Sequence, residues 1–231
     1  LGKSYPMFMH RKIEGKILCG SFSENAKGQW FVNIAVEVER APPKTEGLEL
    51  GIDPGLKDFA TFSNGEKIDN PRHYRKEEER LARAQRANRK PQIRAISLKV
   101  ANRRKHDLHY ESIKLIRRCK SIYVGDVSSS KLAKTNLGKS IYDAGWSTFR
   151  GYLRYKAIRH GVQFAEVSEA YSTQTCSVCK QRTGPKGRAD LNVRKWECSS
   201  CGVSHDRDIN AAQNILLTGQ GVGLRTGILT L

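Results

Sequence analysis

"LELGIDPGLKDFATFSNGEKID", residues 48–69, reads as three short strands, "LELGID", "KDFATFS" and "EKID". The first break is Pro54-Gly55-Leu56, where proline cannot donate to a ladder, and the second is Asn64-Gly65, the pair that favours a tight hairpin turn. The segment is therefore an antiparallel meander. Asp53 closes its first strand, and the Pro-Gly that follows leaves the carboxylate at the strand end.

Downstream, Pro71 stops the meander and residues 72–119 turn helical and basic, with a break near Lys90-Pro91 that predicts two helices in a hairpin. Leu108, Ser112, Leu115, Ile116 and Cys119 recur at helical spacing and mark the buried face of the second helix. "SIYVGDV" is the next strand and ends on Asp126. "GKSIYDAGWSTFRGYLRYKAIRH", residues 138–160, reads as one helix, "VQFAEVSE" as a further strand and "DRDINAAQNILL" as a last helix. Upstream, "KILCGSFSE" and "WFVNIAVEV" alternate apolar and polar across "NAKGQ", a hairpin or part of a small barrel, and "APPKTEG" links it to the meander. Meander, helix, strand, helix, strand, insertion, helix is the order of an RNase H-like fold: an α/β protein with a mixed sheet and flanking helices.

The chain of 231 residues has 41 Lys and Arg against 23 Asp and Glu, a formal charge of +18 and a pI near 9.8. A surface so basic favours nucleic acid as partner. On charge alone an enzyme, a structural RNA binder and a merely soluble basic protein all stay open. No run of 18 apolar residues occurs and "LGKSYPMFMHRK" lacks a signal-peptide core, so no membrane association is expected, and the expected compartment is the cytoplasm or nucleoid. The start at Leu1 rather than Met suggests missing upstream sequence.

Three acids recommend themselves by position. Asp53 and Asp126 close two strands, and Asp208 shares a helical stripe with Ala211, Ala212, Ile215 and Leu216, while Asp206 points some 200° away. An inward acid among alanines is costly unless a cation or donor meets it. Three carboxylates from two strand ends and a facing helix suit one or two Mg²⁺ ions, which activate water in phosphodiester cleavage. Taken singly, each aspartate could as well cap a turn or helix.

Cys176, Cys179, Cys198 and Cys201 form C-x2-C-x18-C-x2-C, the spacing of a structural zinc ribbon whose four thiolates leave no position for substrate. Cys19 and Cys119 stand apart. His205 reads as a helix-start residue rather than a fifth ligand.

Taken together, "GIDPGLKDFATFSNGEKIDNPRHYRKEEERLARAQR", the strand bearing Asp126, "YSTQTCSVC" and "CGVSHDRDINAAQNIL" resemble TnpB. These are the transposon-encoded proteins of the IS200/IS605 and IS607 groups, formerly called OrfB transposases and related to compact type V CRISPR nucleases. The similarity runs from about Lys12 to Leu217. It implies an RNA-guided DNA endonuclease with a split RuvC-like nuclease domain. Residues 1–46 then correspond to the latter part of a wedge β-barrel that grips RNA, and 47–171 to the first nuclease segment with its basic hairpin at 72–119. Residues 172–204 correspond to the zinc ribbon, which binds target nucleic acid, 205–217 to the last nuclease helix and 218–231 to a tail.

By that resemblance Asp53 matches the first nuclease acid and Asp208 the third, both Mg²⁺ ligands. The second position departs, because most relatives carry Glu in a "VxEDL"-like strand end where this chain has "VGDVSSS". Asp126 would fall short by roughly an ångström, a displacement that matters in catalysis. Glu169, in "VSEAYSTQTC" where many relatives have proline, is the alternative acid from a neighbouring strand end, or else a solvated residue before the ribbon. The implied partners are a guide RNA derived from the transposon end, target double-stranded DNA and a partner transposase. Two rival functions stay open: a nuclease-dead, RNA-guided repressor, and a strand-transfer transposase that uses a 3′-hydroxyl nucleophile.

Overall fold

The computed structural model describes residues 6–9, 12–127, 138–186, 190 and 192–226, the side chains of 222–226 excepted. The serines that follow Val127 and the end of the expected tail lie outside the described residues. The chain divides into two compact units, residues 1–40 and 41–231. In the first, β1 (Lys16–Glu24) and β2 (Trp30–Glu37) pair antiparallel, with Glu24 opposite Trp30. The turn is tied by Asn25 Oδ1, which accepts from Lys27 N at 2.8 Å, and by Gly28 at φ 78°.

The second unit is built on a five-stranded sheet in the order β5-β4-β3-β6-β7. The meander is β3 (Leu48–Pro54), β4 (Asp58–Phe62) and β5 (Lys67–Asp69), paired antiparallel as its turns require. β6 (Cys119–Gly125) lies parallel to β3, with Leu50 opposite Ile122 and Ile52 opposite Val124, and β7 (Gln163–Val167) lies parallel to β6. A parallel neighbour needs a crossover. Here α1 (His73–Arg86) and α2 (Lys90–Arg118) supply it, turning back on themselves at Asn88 with φ 49°.

Alternation along the central strands separates two faces. Leu50, Ile52, Ile122 and Val124 point to one face, buried with Leu115 and Ile116 of α2 and with Phe149 and Leu153 of the later helix. Gly51 and Tyr123 point to the other, where α5 (Arg207–Thr226) packs through Ala211, Ala212 and Ile215, each at most 1% exposed. Between the last sheet strand and α5 stands a small hairpin of β8 (Lys195–Glu197) and β9 (Ser204–Asp206). Among the described residues no helix is long and apolar enough to cross a membrane.

Three expectations are corrected. The single helix over 138–160 is two, α3 (Gly138–Ala144) and α4 (Trp146–His160), because Gly145 takes φ 71° and ends the first in a left-handed cap. The residues after 217 continue α5 to Thr226 rather than forming a tail. Gly219 explains the continuation: a Cβ there would lie 2.2 Å from the Tyr123 ring, so glycine lets the helix pass over the sheet. Finally, Asp206 and His205 belong to β9 and not to the helix.

Gly51 sets the spacing of this packing, because a Cβ on it would sit 2.1 Å from the Ala212 carbonyl oxygen and 2.6 Å from Leu216 N. Backbone cannot yield as a side chain can. Gly51→Ala is expected to destabilise the chain by about 1–3 kcal/mol, the usual range for overpacking. Thermal unfolding should show it as a fall of several degrees, at roughly 2–4 °C per kcal/mol for a domain of this size. An unchanged Tm would contradict this account of the α5 contact.

Candidate functional site

The close seat of α5 on β3 brings acids from distant parts of the chain to one end of the sheet. Asp53, opposite Thr61 in the β3–β4 register, shares its face with Gly51 and so looks toward α5. Burial pushes its carboxyl well above the ordinary range, the Glu169 and Asp208 charges push the same way, and Arg207 opposes them. Asp208 stands in the first turn of α5, below the buried row of Ala211, Ala212 and Ile215. Arg194 Nη1, from the loop before β8, lies 3.4 Å from its Oδ2. Asp206 serves the helix instead, since its Oδ1 accepts from Asp208 N at 3.0 Å and Ile209 N at 3.1 Å, an N-cap of α5.

Asp126 and Glu169 meet at the neighbouring strand ends. Asp126 N donates to Val167 O at 2.9 Å, carrying the β6–β7 ladder one step further, and Asp126 Oδ1 accepts from Glu169 N at 3.2 Å. One carboxylate oxygen of Asp126 therefore holds the backbone of Glu169. The Glu169 side chain lies over Gly125, where a Cβ would come within 3.3 Å of its Oε2. A larger residue at 125 would compete for that space. Burial first, then the Asp126 charge, raises the Glu169 carboxyl, and Arg150 opposes the rise. Arg150 is fixed by a bond to Val127 O at 3.2 Å and an ion pair with Glu166 at 3.0 Å.

The cysteines are tighter than the acids. Among the described residues, Cys176, Cys179, Cys198 and Cys201 are the only group of three or more potential ligands whose donor atoms all lie within 4.8 Å of one another. Sγ of Cys176 is 3.7 Å from that of Cys201, and Sγ of Cys179 is 3.6 Å from that of Cys198. A tetrahedron with Zn–S near 2.3 Å has edges of about 3.8 Å, so the donors fit zinc. Both knuckles use the same turn: Lys180 N donates to Cys176 O, Gly202 N to Cys198 O, and Lys180 and Gly202 take φ 65° and 71°. The Thr183 hydroxyl, 3.1 Å from Cys198 Sγ, is the largest influence drawing that thiol down to about 6. His205 lies buried in β9 opposite Trp196, its Nε2 3.1 Å from Cys176 Sγ.

The cysteine segment is fastened to the helix that bears Asp208. Asn210, 1% exposed, accepts from Ser177 N at 2.8 Å and donates to the carbonyls of Ser172 and Thr175 at 3.1 and 2.8 Å. Asn214 Nδ2 reaches the same two carbonyls at 2.9 and 2.7 Å. Reading by sequence selects the alanine row of this helix and overlooks its asparagines. Two asparagines at i and i+4, on the side of the helix away from its apolar stripe, are the available signal. Arg150, Arg194 and the space over Gly125 have none, since each acts through partners remote in sequence.

The hairpin of α1 and α2, residues 72–118, carries 16 Lys or Arg against 5 acids. Glu77 alone engages Lys99 at 2.6 Å, Arg103 at 3.5 Å and Arg80 at 3.6 Å, which leaves a strong excess of positive charge on the hairpin.

Two outcomes follow from these geometries. A carboxyl whose folded-state pKa is raised contributes stability that is fully present below its unfolded value, near 3.9, and is lost as pH rises through the folded value. Asp53→Asn should therefore raise the Tm with no divalent cation added, by more at pH 7.5 than at pH 4.5, and a pH-independent gap would contradict the crowding of acids. The cysteine cluster should carry one zinc per chain by elemental analysis. Cys198→Ser should release it and open residues 172–204 to protease, because such a knuckle folds only as it binds; zinc-free protein with that segment protected would refute the assignment.

Residues 33–136 match the family model OrfB_IS605, described as "Probable transposase", and residues 146–215 match that of the Cas12f1-like TNB domain. A Streptomyces pristinaespiralis protein provisionally named an RNA-guided DNA endonuclease is 36% identical over 211 residues, 85% of this chain and 52% of its own length. InsQ of Escherichia coli K12, named in the same provisional way, is 28% identical, over 92% of this chain and 59% of its own. The chain thus spans about half the length of the curated relatives it matches. A cryo-EM structure of a Cas12f1–sgRNA–target DNA complex shares the fold, with a TM-score of 0.55 at 18% identity over 80% of this chain and 52% of that one. One family model covers Asp53 and Asp126 and the other covers Glu169, the four cysteines and Asp208, and the chain belongs to the OrfB, or TnpB, family of IS605-type transposon proteins.

Proposed function

We propose that the protein is an RNA-guided DNA endonuclease whose hydrolytic centre is formed by Asp53, Glu169 and Asp208. The carrying observation is the Asp53 carboxyl, half-buried at a strand end and forced upward by burial and by two other acids. Carboxylates brought together from three elements, one of them pushed upward by the charge of the others, have the chemistry of a divalent-cation site. The strand order, with an antiparallel meander beside two parallel strands, supports an RNase H-like nuclease. Mg²⁺, when bound, supplies an activated water and charge for the leaving oxygen. Asp53 and Asp208 would hold it from opposite sides of the β3–α5 contact. Glu169 rather than Asp126 would complete the set, since Asp126 is already bonded to the Glu169 backbone. Asp126 is then a positioning residue.

The rest of the chain supports the same reading. Zinc in the four-cysteine ribbon would be structural, and the basic α1–α2 hairpin would follow a guide–target heteroduplex by its phosphates, reading shape rather than bases. The related Cas12f1 structure is a complex with sgRNA and target DNA, which suits such partners. A nuclease-dead, RNA-guided repressor would not need Asp53, Glu169 and Asp208 kept together.

The test is Mg²⁺-dependent cleavage of a guide-matched duplex by the RNA-loaded protein. Asp208→Ala and Glu169→Gln should each abolish cleavage and leave nucleic-acid affinity nearly unchanged, because affinity comes from many phosphate contacts elsewhere. Asp126→Asn keeps an acceptor for Glu169 N and should be mild, whereas Asp126→Ala should cost about 10–100-fold, as loss of a supporting partner usually does. Full activity in Glu169→Gln would return the role to Asp126. An inactive parent in both Mg²⁺ and Mn²⁺ would favour the repressor.

A further inference from the structure

Tyr171 holds a backbone conformation that a bulky side chain rarely adopts, with φ 63°, yet its ring is not tucked into the core and is 51% exposed. The turn is held firmly. Ser172 N donates to Glu169 O, Gln174 N and Thr175 N donate to Tyr171 O, all at 3.0 Å, and Asn210 and Asn214 grip the carbonyls of Ser172 and Thr175. Glycine would suit this backbone better, and half of the tyrosine surface stays in solvent. What the ring does touch is Arg182, whose Cζ lies 3.8 Å from the ring centroid. Arg182 is exposed and is itself placed by the bridge between Thr175 and Arg182. A rigid aromatic plane and a guanidinium plane are thus presented together to solvent.

We propose that Tyr171 and Arg182 form a stacking platform for one unpaired nucleobase of the strand delivered to the acids. Every base has a π-face that an aromatic ring or a guanidinium plane can cover, whereas a base inside a duplex has both faces occupied by its neighbours. The ligand is therefore single-stranded. Tyr171 follows Glu169 by two residues, a reach of at most about 7 Å along the chain, so the stacked base belongs to a nucleotide next to the reacting phosphate. This rests on the reading of Asp53, Glu169 and Asp208 as the hydrolytic centre; the stack itself does not.

The experiment measures binding of a short labelled DNA single strand to the full chain by fluorescence anisotropy, together with a scan in which each nucleotide in turn is made abasic. Tyr171→Phe should bind within about twofold of the parent. Tyr171→Gly should lose roughly tenfold, within the range for one base–aromatic stack. Its Tm should hold or rise, because glycine accepts this φ freely. One abasic position should cost the parent about the same factor and cost Tyr171→Gly nothing, and a duplex of the same sequence should not distinguish the variants. Parent-like binding by Tyr171→Gly, additive penalties in the scan, or a lowered Tm that accounts for the loss would each overturn the platform. Asp208→Ala should keep the abasic pattern while losing cleavage, so failure of the stack and failure of the hydrolytic reading are told apart.

Discussion

The contact on which the rest of the structure depends is backbone against backbone, where α5 lies on β3 at Gly51. No side chain separates the helix from the strand there, and the same economy recurs where Gly219 passes over the Tyr123 ring. Small residues on both sides let the helix approach until Ala211, Ala212 and Ile215 are sealed from water. Asp208, one turn before this row, is carried toward Asp53 as a consequence. A helix held farther out by ordinary side chains would bury the same apolar stripe and leave the two acids apart.

That placement has an electrostatic cost which the surrounding structure offsets only in part. Asp53 is raised by burial and by two neighbouring charges, and the rise stands although Arg207 opposes it; Arg150 opposes the rise of Glu169 in the same way. Perturbed carboxyls of this kind cluster at functional sites. Elsewhere the chain is strongly basic, with a formal charge of +18, so the acid cluster is a negative centre in a positive chain.

The cysteine ribbon and the acids are joined mechanically as well as by sequence. Asn210 and Asn214 bind the segment carrying Cys176 to the helix carrying Asp208, and loss of both would take these donors from the Ser172 and Thr175 carbonyls. The ribbon also supplies Arg194 to Asp208. Order at the cysteine cluster therefore bears on order at the acids, through these hydrogen bonds.

Read from its amino acids, the chain declares what depends on local order. Asn64-Gly65 and Pro54 set the meander, Pro91 splits the basic hairpin, the double C-x2-C spacing marks the cysteine cluster, and Asp208 falls on the apolar stripe of its helix. These are effects of short range, in which turn chemistry or helical period acts on neighbours a few residues away. The break at Gly145 and the long run of α5 escape such a reading, since a glycine permits a left-handed cap or a close helix–sheet contact equally and only the partner decides which. The choice between Asp126 and Glu169 stays open in the sequence for the same reason. Parallel pairing of β6 and β7 places their ends together, Gly125 leaves room for one side chain, and Asp126 turns its carboxylate to the backbone of Glu169. Those outcomes depend on groups some 40 residues apart meeting in space, and no local pattern of residues encodes them.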